Sequence, residues 1–254
     1  MSATMQALVV LEPNRMEIRE VAVPVPGPNE VLARVRAVSI CGTDVHLIRG
    51  DYPGFWPLAF PFIPGHEWAG EIVELGPGVE LYGWKVGDRV AGTSHDACGV
   101  CQKCVEGRYN LCENYGKPGL HKQYGHNVQG ADAEYIVQGV KTIFPLPAGL
   151  SFDEGAVVDP ASIALHVANR GQVAPGDTVA ITGAGAIGLL GGDAAVAASA
   201  RRSELSRRAG TAGGSLSSSS VVSSFVETGG TTIGTGSGSS SFSFSASHCS
   251  SVKS

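Results

Sequence analysis

The sequence predicts a mixed α/β protein in which a β-barrel-type domain is followed by one strand-and-helix unit and a serine- and glycine-rich tail. Three observations predict this order. Short β-rich runs separated by turn residues fill residues 5–150. An apolar strand, a glycine-rich turn and an alanine-rich segment follow at residues 179–202. After residue 202 no long apolar run remains, so we expect residues 203–254 to be disordered.

The β-rich runs of the first 150 residues have the length of single strands and include QALVVL, EVLARVRAVSI, WAGEIVEL and AEYIVQ. Turn sequences such as PGPNE and GPGVE separate them. Two connections are unusually long: residues 51–65, rich in proline and aromatic residues, and residues 94–130, which hold four cysteines. Loops of this length in a compact domain indicate a function or a cross-link.

The cysteine-bearing loop gives the strongest signal, in the run CGVCQKCVEGRYNLC. Its cysteines are Cys98, Cys101, Cys104 and Cys112, a spacing that lets one loop surround a single metal ion. An all-thiolate set suits zinc, and four protein ligands leave no position for a substrate, so this site is expected to be structural. Spare reduced cysteines, a disulfide and an iron–sulfur cluster are the alternatives.

A second set of potential ligands is spread over two segments. SICGTDVH contains Cys41, Thr43, Asp44 and His46, and PGHEWAG contains His66 and Glu67. Taken alone, Cys41 is more often a buried small side chain, and an isolated His66 is commonplace. Together, a thiolate and an imidazole can bind zinc at a catalytic site, where three protein ligands leave one coordination position open.

The periodicity changes after residue 150 and predicts helices, with Ser151 as a candidate N-cap and Pro160 as a point where a helix breaks or restarts. The strand TVAIT then leads into the turn GAGAIG. Because a strand precedes this turn and an alanine-rich segment follows it, we interpret it as a phosphate-binding turn.

Three glycines and one isoleucine form this predicted cofactor site: Gly183, Gly185, Ile187 and Gly188. Gly183 permits the tight turn, Gly185 lets the backbone approach a pyrophosphate, and Gly188 lets the helix pack closely on the strand.

Composition argues against two classes of partner. The formal net charge is -5 and no basic stripe is present, so a nucleic-acid partner is not expected. The most apolar stretch, residues 178–200, contains Asp193 and five glycines, which favours a buried strand and helix over a membrane span. The N-terminus lacks a signal-peptide pattern, so we expect a cytoplasmic protein with reduced thiols.

Several segments, in the order in which they occur, resemble the zinc-dependent medium-chain alcohol and polyol dehydrogenases. They are CGTDVH, PGHEWAGEIVELGPGV, KVGDRVAG, the four-cysteine loop, GADAEYIV, DPASIALHV and GAGAIG, and they cover about residues 5–202. The resemblance implies a GroES-like catalytic domain at residues 1–150, followed at residues 151–202 by a linking helix and the first βα unit of a Rossmann domain. It further implies oxidation of a small alcohol or polyol by NAD or NADP, one catalytic and one structural zinc ion, and compatibility with a homo-oligomer.

The same resemblance implies the catalytic-zinc ligands. Cys41 and His66 match the first two, and Glu67 matches a glutamate that ligates or approaches the metal. Asp159 stands where polyol-dehydrogenase relatives have a glutamate and alcohol-dehydrogenase relatives a cysteine. The side chain of Asp159 is shorter than that of glutamate. Its carboxylate can still bind zinc, but it extends less far from the backbone.

Three further residues match the catalytic machinery of that family. Asp44 matches the acceptor that orients His66. Thr43 matches the hydroxyl that takes the alcohol proton, and His46 matches a relay of that proton to solvent. Taken without the resemblance, Thr43 can equally cap a turn and His46 can equally be a surface histidine.

The resemblance stops after residue 202. A Rossmann domain is expected to have its second strand near residues 203–206 and an acidic residue near position 207, but this chain has SELSRR. A displaced reading frame, an alternative exon or an error in gene prediction would explain the change. Two functions therefore compete: a zinc-dependent dehydrogenase, and a catalytically defective zinc-binding fragment without a competent cofactor site. A zinc-independent quinone reductase is a third, disfavoured by the metal-binding motifs.

Overall fold

The structure is a computed structural model that describes residues 3–210, 224–228, 231–235 and 242–244. The chain forms two compact units, Met1–Asp159 and Pro160–Ser254. Each unit is described separately.

The first unit consists mainly of β-strands with short helices between them. Its elements are β1 (Thr4–Glu12), β2 (Arg15–Ala22), β3 (Glu30–Ser39), α1 (Gly42–Arg49), β4 (Glu67–Leu75), β5 (Arg89–Gly92), β6 (His95–Asp96), α2 (Gln102–Val105), β7 (Lys122–Gln123), β8 (Tyr135–Gly139), β9 (Ile143–Pro145) and α3 (Phe152–Ala156). Two 3₁₀ turns lie at Val79–Tyr82 and Tyr109–Leu111. Helix α4 (Val158–Arg170) begins at the end of this unit.

A five-stranded antiparallel sheet, ordered β8-β3-β4-β5-β9, forms the centre of this unit. The hairpin β1–β2 and the two-stranded β6–β7 ladder are separate antiparallel pairs. Antiparallel strands joined by turns are what the alternating runs and the turn sequences predict, so the β-rich first domain is confirmed.

The core of the central sheet surrounds Trp68, which is 1% exposed. Val31, Val90 and Ile136 pack in the same buried cluster. The indole Nε1 donates a hydrogen bond to the Oε1 atom of buried Gln138 at 2.7 Å, which supplies the partner that a buried polar atom requires.

The second unit contains the rest of α4 and the elements β10 (Val179–Thr182), α5 (Ala186–Gly210), β11 (Ser224–Thr228), β12 (Thr231–Thr235) and β13 (Phe242–Phe244). Helices α4 and α5 share a cluster of small apolar side chains that includes Ala164, Ala168 and Ala198. Alanines at helical spacing allow such close packing of one helix on another.

The described strands of this unit differ from the expected Rossmann pattern. Strand β12 lies between β10 and β11 and is antiparallel to both, whereas a Rossmann sheet is mostly parallel. Strand β13 is parallel to β11. A Rossmann sheet is therefore not what these described strands form.

Two described features of this unit differ from what the sequence alone suggests. Helix α5 continues to Gly210 instead of ending near Arg202, because SELSRRA consists largely of residues that favour a helix. The segment expected to be disordered contains β11, β12 and β13, whose valine, threonine, isoleucine and phenylalanine residues favour strands. Apart from residues 203–210, which belong to α5, the rest of that segment lies outside the described residues.

No helix within the described ranges is both long enough and apolar enough to cross a bilayer.

Two candidate metal centres

The four cysteines of the long loop converge on one point. Their Sγ atoms all lie within 4.8 Å of one another, with Cys98 and Cys104 3.9 Å apart and Cys101 and Cys112 4.0 Å apart. Zinc–sulfur bonds of about 2.3 Å give a tetrahedron with edges of about 3.8 Å. The spacing of the thiols therefore fits a tetrahedral four-thiolate zinc site.

Hydrogen bonds to the sulfur atoms favour the thiolate form that a metal requires. The Asn114 side-chain amide donates to Cys98 Sγ at 3.3 Å, and the Glu113 backbone amide donates to Cys101 Sγ at 3.4 Å. The bond from Asn114 is the main reason that the pKa of Cys98 falls to about 6. Desolvation, together with hydrogen bonds to the neighbouring thiols, raises the pKa of Cys104 to about 12. A metal ion bound by the four sulfur atoms would lower it.

The second centre lies where β3 and β4 meet. Their antiparallel register places Ser39 opposite Glu67, and Cys41 follows as the N-cap of α1. The donor atoms of Cys41, His66 and Glu67 consequently lie within 4.8 Å of one another. His66 and Glu67 are buried, and the Ser39 hydroxyl donates a hydrogen bond to the Glu67 carboxylate.

Asp44 connects two members of this group. Its Oδ2 atom accepts a hydrogen bond from the Cys41 backbone amide at 2.8 Å, and its Oδ1 atom lies 3.4 Å from His66 Nδ1. This distance is long for a hydrogen bond, and among the described residues both buried atoms are without a hydrogen-bond partner. Because Nδ1 of His66 faces Asp44, its Nε2 is the nitrogen that remains available for a metal. This Nε2 atom lies 3.9 Å from Glu67 Oε1.

The electrostatics of this group also fit a cation. Burial lowers the pKa of His66, but the carboxylate of Asp44 and the thiolate of Cys41 outweigh it and raise that pKa to about 10. Neighbours that raise the pKa of a buried imidazole in this way also favour a bound cation. Thiolate, imidazole and carboxylate are the three ligand types that zinc accepts, so the residues fit a three-ligand zinc site.

Asp159 lies near this group in the first turn of α4 but outside the set of donors that are mutually within 4.8 Å. Burial raises its pKa to about 6, while the charge of His66 lowers that pKa and the charge of Glu67 raises it. The carboxylate therefore interacts with two members of the group, and its role as a ligand stays a prediction.

Thr43 and His46 both lie on α1. The Cys41 thiol is 3.6 Å from Thr43 Oγ1, which places this hydroxyl next to the candidate metal ligands. His46 is partly exposed, and its Nδ1 atom lies 2.7 Å from the Asp51 carboxylate. The proton relay that they were expected to form stays a prediction.

Sequence reasoning missed two residues beside His66. The ring of buried His126 lies 4.4 Å from that of His66, and burial raises the pKa of Asp132 to about 6, with a further increase from Asp44 and a decrease from His66. Two features of the sequence could have indicated these residues: the glycine that precedes His126, and the position of Asp132 within the family-like segment GADAEYIV.

A further histidine pair joins β6 to the loop before β7. His121 Nδ1 accepts a hydrogen bond from the Gly116 backbone amide at 3.3 Å, so its Nε2 carries the proton. That Nε2 is 3.2 Å from His95 Nδ1 and donates to it. Desolvation, followed by the charge of His121, lowers the pKa of His95 to about 4.

We expect this pair to make the folded state sensitive to acid. Because the folded-state pKa of His95 lies below its unfolded value, the unfolded chain binds more protons between about pH 6.5 and 4, and stability falls as the pH falls through this window. His95→Asn keeps an acceptor near the position of Nδ1 but does not titrate. Urea unfolding from pH 7.5 to 5 should therefore show a flatter pH dependence for this variant, by up to about one proton. His166→Asn, a substitution at an exposed site, is the control. If the free energy of unfolding depended on pH equally steeply in both variants, this assignment would be wrong.

The glycine-rich turn adopts the local form that its sequence predicts. Gly183 follows β10 with φ of +94°, a left-handed conformation that glycine accommodates without strain. Helix α5 begins at Ala186, which places Ile187 and Gly188 in its first turn. Ile187 packs against the apolar cluster of this unit. Binding of a nucleotide by these residues stays a prediction.

Comparison with known proteins gives the class that this fold and these centres define. Residues 27–148 match the family described as "Alcohol dehydrogenase GroES-like domain". The chain is 42% identical over 179 residues to sorbitol dehydrogenase of Bacillus subtilis, covering 70% of this chain and 49% of that protein. It is 40% identical over 192 residues to L-threonine 3-dehydrogenase of Pyrococcus furiosus, covering 75% and 53%.

Solved structures agree with this classification. A thermostable alcohol dehydrogenase from Pyrobaculum aerophilum matches with a TM-score of 0.69 and 30% identity, over 83% of this chain and 63% of that one. A short chain alcohol dehydrogenase from Escherichia coli CFT073, complexed with NADH, matches with a TM-score of 0.61 and 31% identity, over 70% and 48%. The chain belongs to the medium-chain zinc-dependent dehydrogenase family. It spans about half the length of the curated relatives that it matches.

Proposed function

We propose that this chain is a zinc-dependent oxidoreductase that oxidises a small alcohol or polyol with NAD or NADP. The observation that carries the proposal is the convergence of Cys41, His66 and Glu67 beside Asp44 in a largely buried site. Relatives named for sorbitol and for L-threonine support a small hydroxylated substrate, and a relative complexed with NADH supports the cofactor class.

Each residue of the site has its own role in the proposed reaction. Cys41, His66 and Glu67 would hold zinc, which when bound acts as a Lewis acid and lowers the pKa of a substrate hydroxyl. Asp44 fixes the orientation of the His66 imidazole. Thr43, whose Oγ1 lies 3.6 Å from the Cys41 thiol, would accept the proton that the substrate hydroxyl loses while passing its own hydroxyl proton on.

The proton then has to reach solvent. His46 is the candidate for this step because it lies on the same helix as Thr43, is partly exposed and pairs with Asp51 at its outer side. The nicotinamide would supply the redox chemistry, which no side chain of this chain can provide.

The described strands of the second unit favour a second candidate function, a zinc-binding protein without dehydrogenase activity. Strand β12 pairs antiparallel with β10, and α5 continues through residues 203–206, where the family pattern leads us to expect a second parallel strand. Without that strand, the acidic residue that would hold the ribose has no support.

Metal analysis combined with cofactor titration separates the two functions. The dehydrogenase proposal expects about two zinc ions per chain, saturable binding of NAD(H) or NADP(H), and alcohol-dependent reduction of the nucleotide. Two zinc ions without nucleotide binding would favour the zinc-binding protein. A single zinc ion, held by the four cysteines, would contradict the catalytic site itself.

A further inference from the structure

The turn formed by residues 123–130 packs directly against the segment that carries His66. A Cβ atom added to Gly125 would lie 2.3 Å from the Gly65 carbonyl oxygen and 3.1 Å from His66 Cβ. Gly125 also has φ of +71°. Because only glycine combines this conformation with so close an approach, the turn fits tightly against the backbone of the candidate metal ligand.

Backbone hydrogen bonds tie the end of the turn to the same segment. The Gly130 amide donates to the Ile63 carbonyl at 2.7 Å, and the Ala131 amide donates to the Gly65 carbonyl at 2.8 Å. The turn is thus fixed to the chain on the N-terminal side of His66.

His126 lies within this turn, and its ring orientation is determined by a hydrogen bond. Its Nδ1 atom is 3.0 Å from the Tyr124 carbonyl oxygen, and because a carbonyl only accepts, Nδ1 donates. The ring is 4% exposed. It therefore has a fixed tautomer and a fixed plane in a buried position.

The His126 ring lies between two other rings. Its centroid is 4.4 Å from that of His66 and 4.7 Å from that of Trp56, with interplanar angles of 52° and 66°. Trp56 in turn contacts Tyr52 edge-on at 5.6 Å and Phe55 at 4.9 Å. A continuous series of ring contacts thus runs from Tyr52, Phe55 and Trp56 through His126 to the His66 imidazole.

Direct ligation by His126 is not supported. Among the described residues, the donor atoms that lie within 4.8 Å of one another at this centre come from Cys41, His66 and Glu67 only. His126 contacts a ligand without joining the ligand set. Its contribution must therefore act through the position of the His66 ring.

We propose that His126 is a positioning residue: its ring packs against the His66 imidazole and links that imidazole to Trp56. Asp44 controls the Nδ1 edge of His66, and His126 controls the tilt of the ring. The inference rests on the proposed function, because it takes Cys41, His66 and Glu67 as a metal site.

Cobalt binding at this site tests the role independently of activity. Zinc is kept at the four cysteines, and Co²⁺ is titrated into the second site while its visible absorption is recorded. His126→Ala should weaken Co²⁺ binding by about tenfold, the lower end of the range for residues that support metal ligands, and should shift the absorption bands. His126→Phe retains a ring against His66 and should restore affinity to within about threefold of the wild type.

His121→Ala is the matched control, because His121 is also a buried, hydrogen-bonded histidine but has its ring contacts with His95 and Tyr115. It should leave the Co²⁺ spectrum unchanged. Wild-type affinity and spectrum in His126→Ala, or equal losses in His126→Ala and His121→Ala, would overturn the inference. Failure of the wild-type chain to bind Co²⁺ at this site would instead overturn the proposed function.

Discussion

Replacing Cys112 with serine is expected to remove one tightly bound zinc ion per chain and to destabilise the first unit strongly. Cys112 is the buried member of the four-cysteine group, and serine cannot supply a thiolate at the 4.0 Å spacing from Cys101. Structural zinc contributes about 10–16 kcal/mol to folding in small zinc domains. We expect a loss of about 5 kcal/mol or more, or roughly 10–20 °C in Tm for a chain of this size.

Zinc content by mass spectrometry and thermal unfolding followed by circular dichroism measure the two effects. Cys249→Ser is the control, because Cys249 is the one cysteine of the sequence that is not assigned as a candidate ligand. If Cys112→Ser retained its full zinc content and its Tm, the four cysteines would not form a metal site.

His66→Ala is expected to abolish metal binding at the second centre while leaving the four-cysteine zinc in place. The substitution removes the imidazole ligand and leaves Asp44 buried without the ring that faces its Oδ1 atom. Its effect on metal affinity should exceed the change of about 10- to 100-fold caused by losing an outer partner of a ligand. Because Lewis-acid activation supplies several kcal/mol, the proposed alcohol oxidation should fall by about 10³-fold or more.

The measurement compares zinc per chain and alcohol-dependent reduction of NAD(P) between His66→Ala and His166→Ala. His166 lies exposed on α4, so its replacement leaves the first unit unaltered. A His66→Ala protein with two zinc ions would show that the second metal binds elsewhere.

The sequence was most informative where ligands are close together along the chain. The four cysteines could be assigned to one metal because their spacing within one loop already restricts the geometry. Cys41 and His66 required the family resemblance, because neither residue is distinctive alone and only the pairing of β3 with β4 brings them together.

Residues that join the site from distant segments could not be found in the same way. His126 contacts His66 through the turn formed by residues 123–130, and nothing in the spacing of these histidines indicates their contact. The tail was equally difficult: its phenylalanine and valine residues are scattered among serines, and sequence composition alone did not indicate the strands at residues 224–244.

The register of β3 and β4 also determines the order in which the second metal centre can assemble during folding. Cys41 and His66 are 25 residues apart (66 − 41), and the antiparallel pairing of β3 with β4 brings them together, whereas Asp159 is 93 residues from His66 (159 − 66). Closing the longer loop costs about 1 kcal/mol more in chain entropy by the logarithmic dependence on loop length. The three candidate ligands Cys41, His66 and Glu67 therefore all lie within the first hundred residues of the chain, before Asp159 is reached.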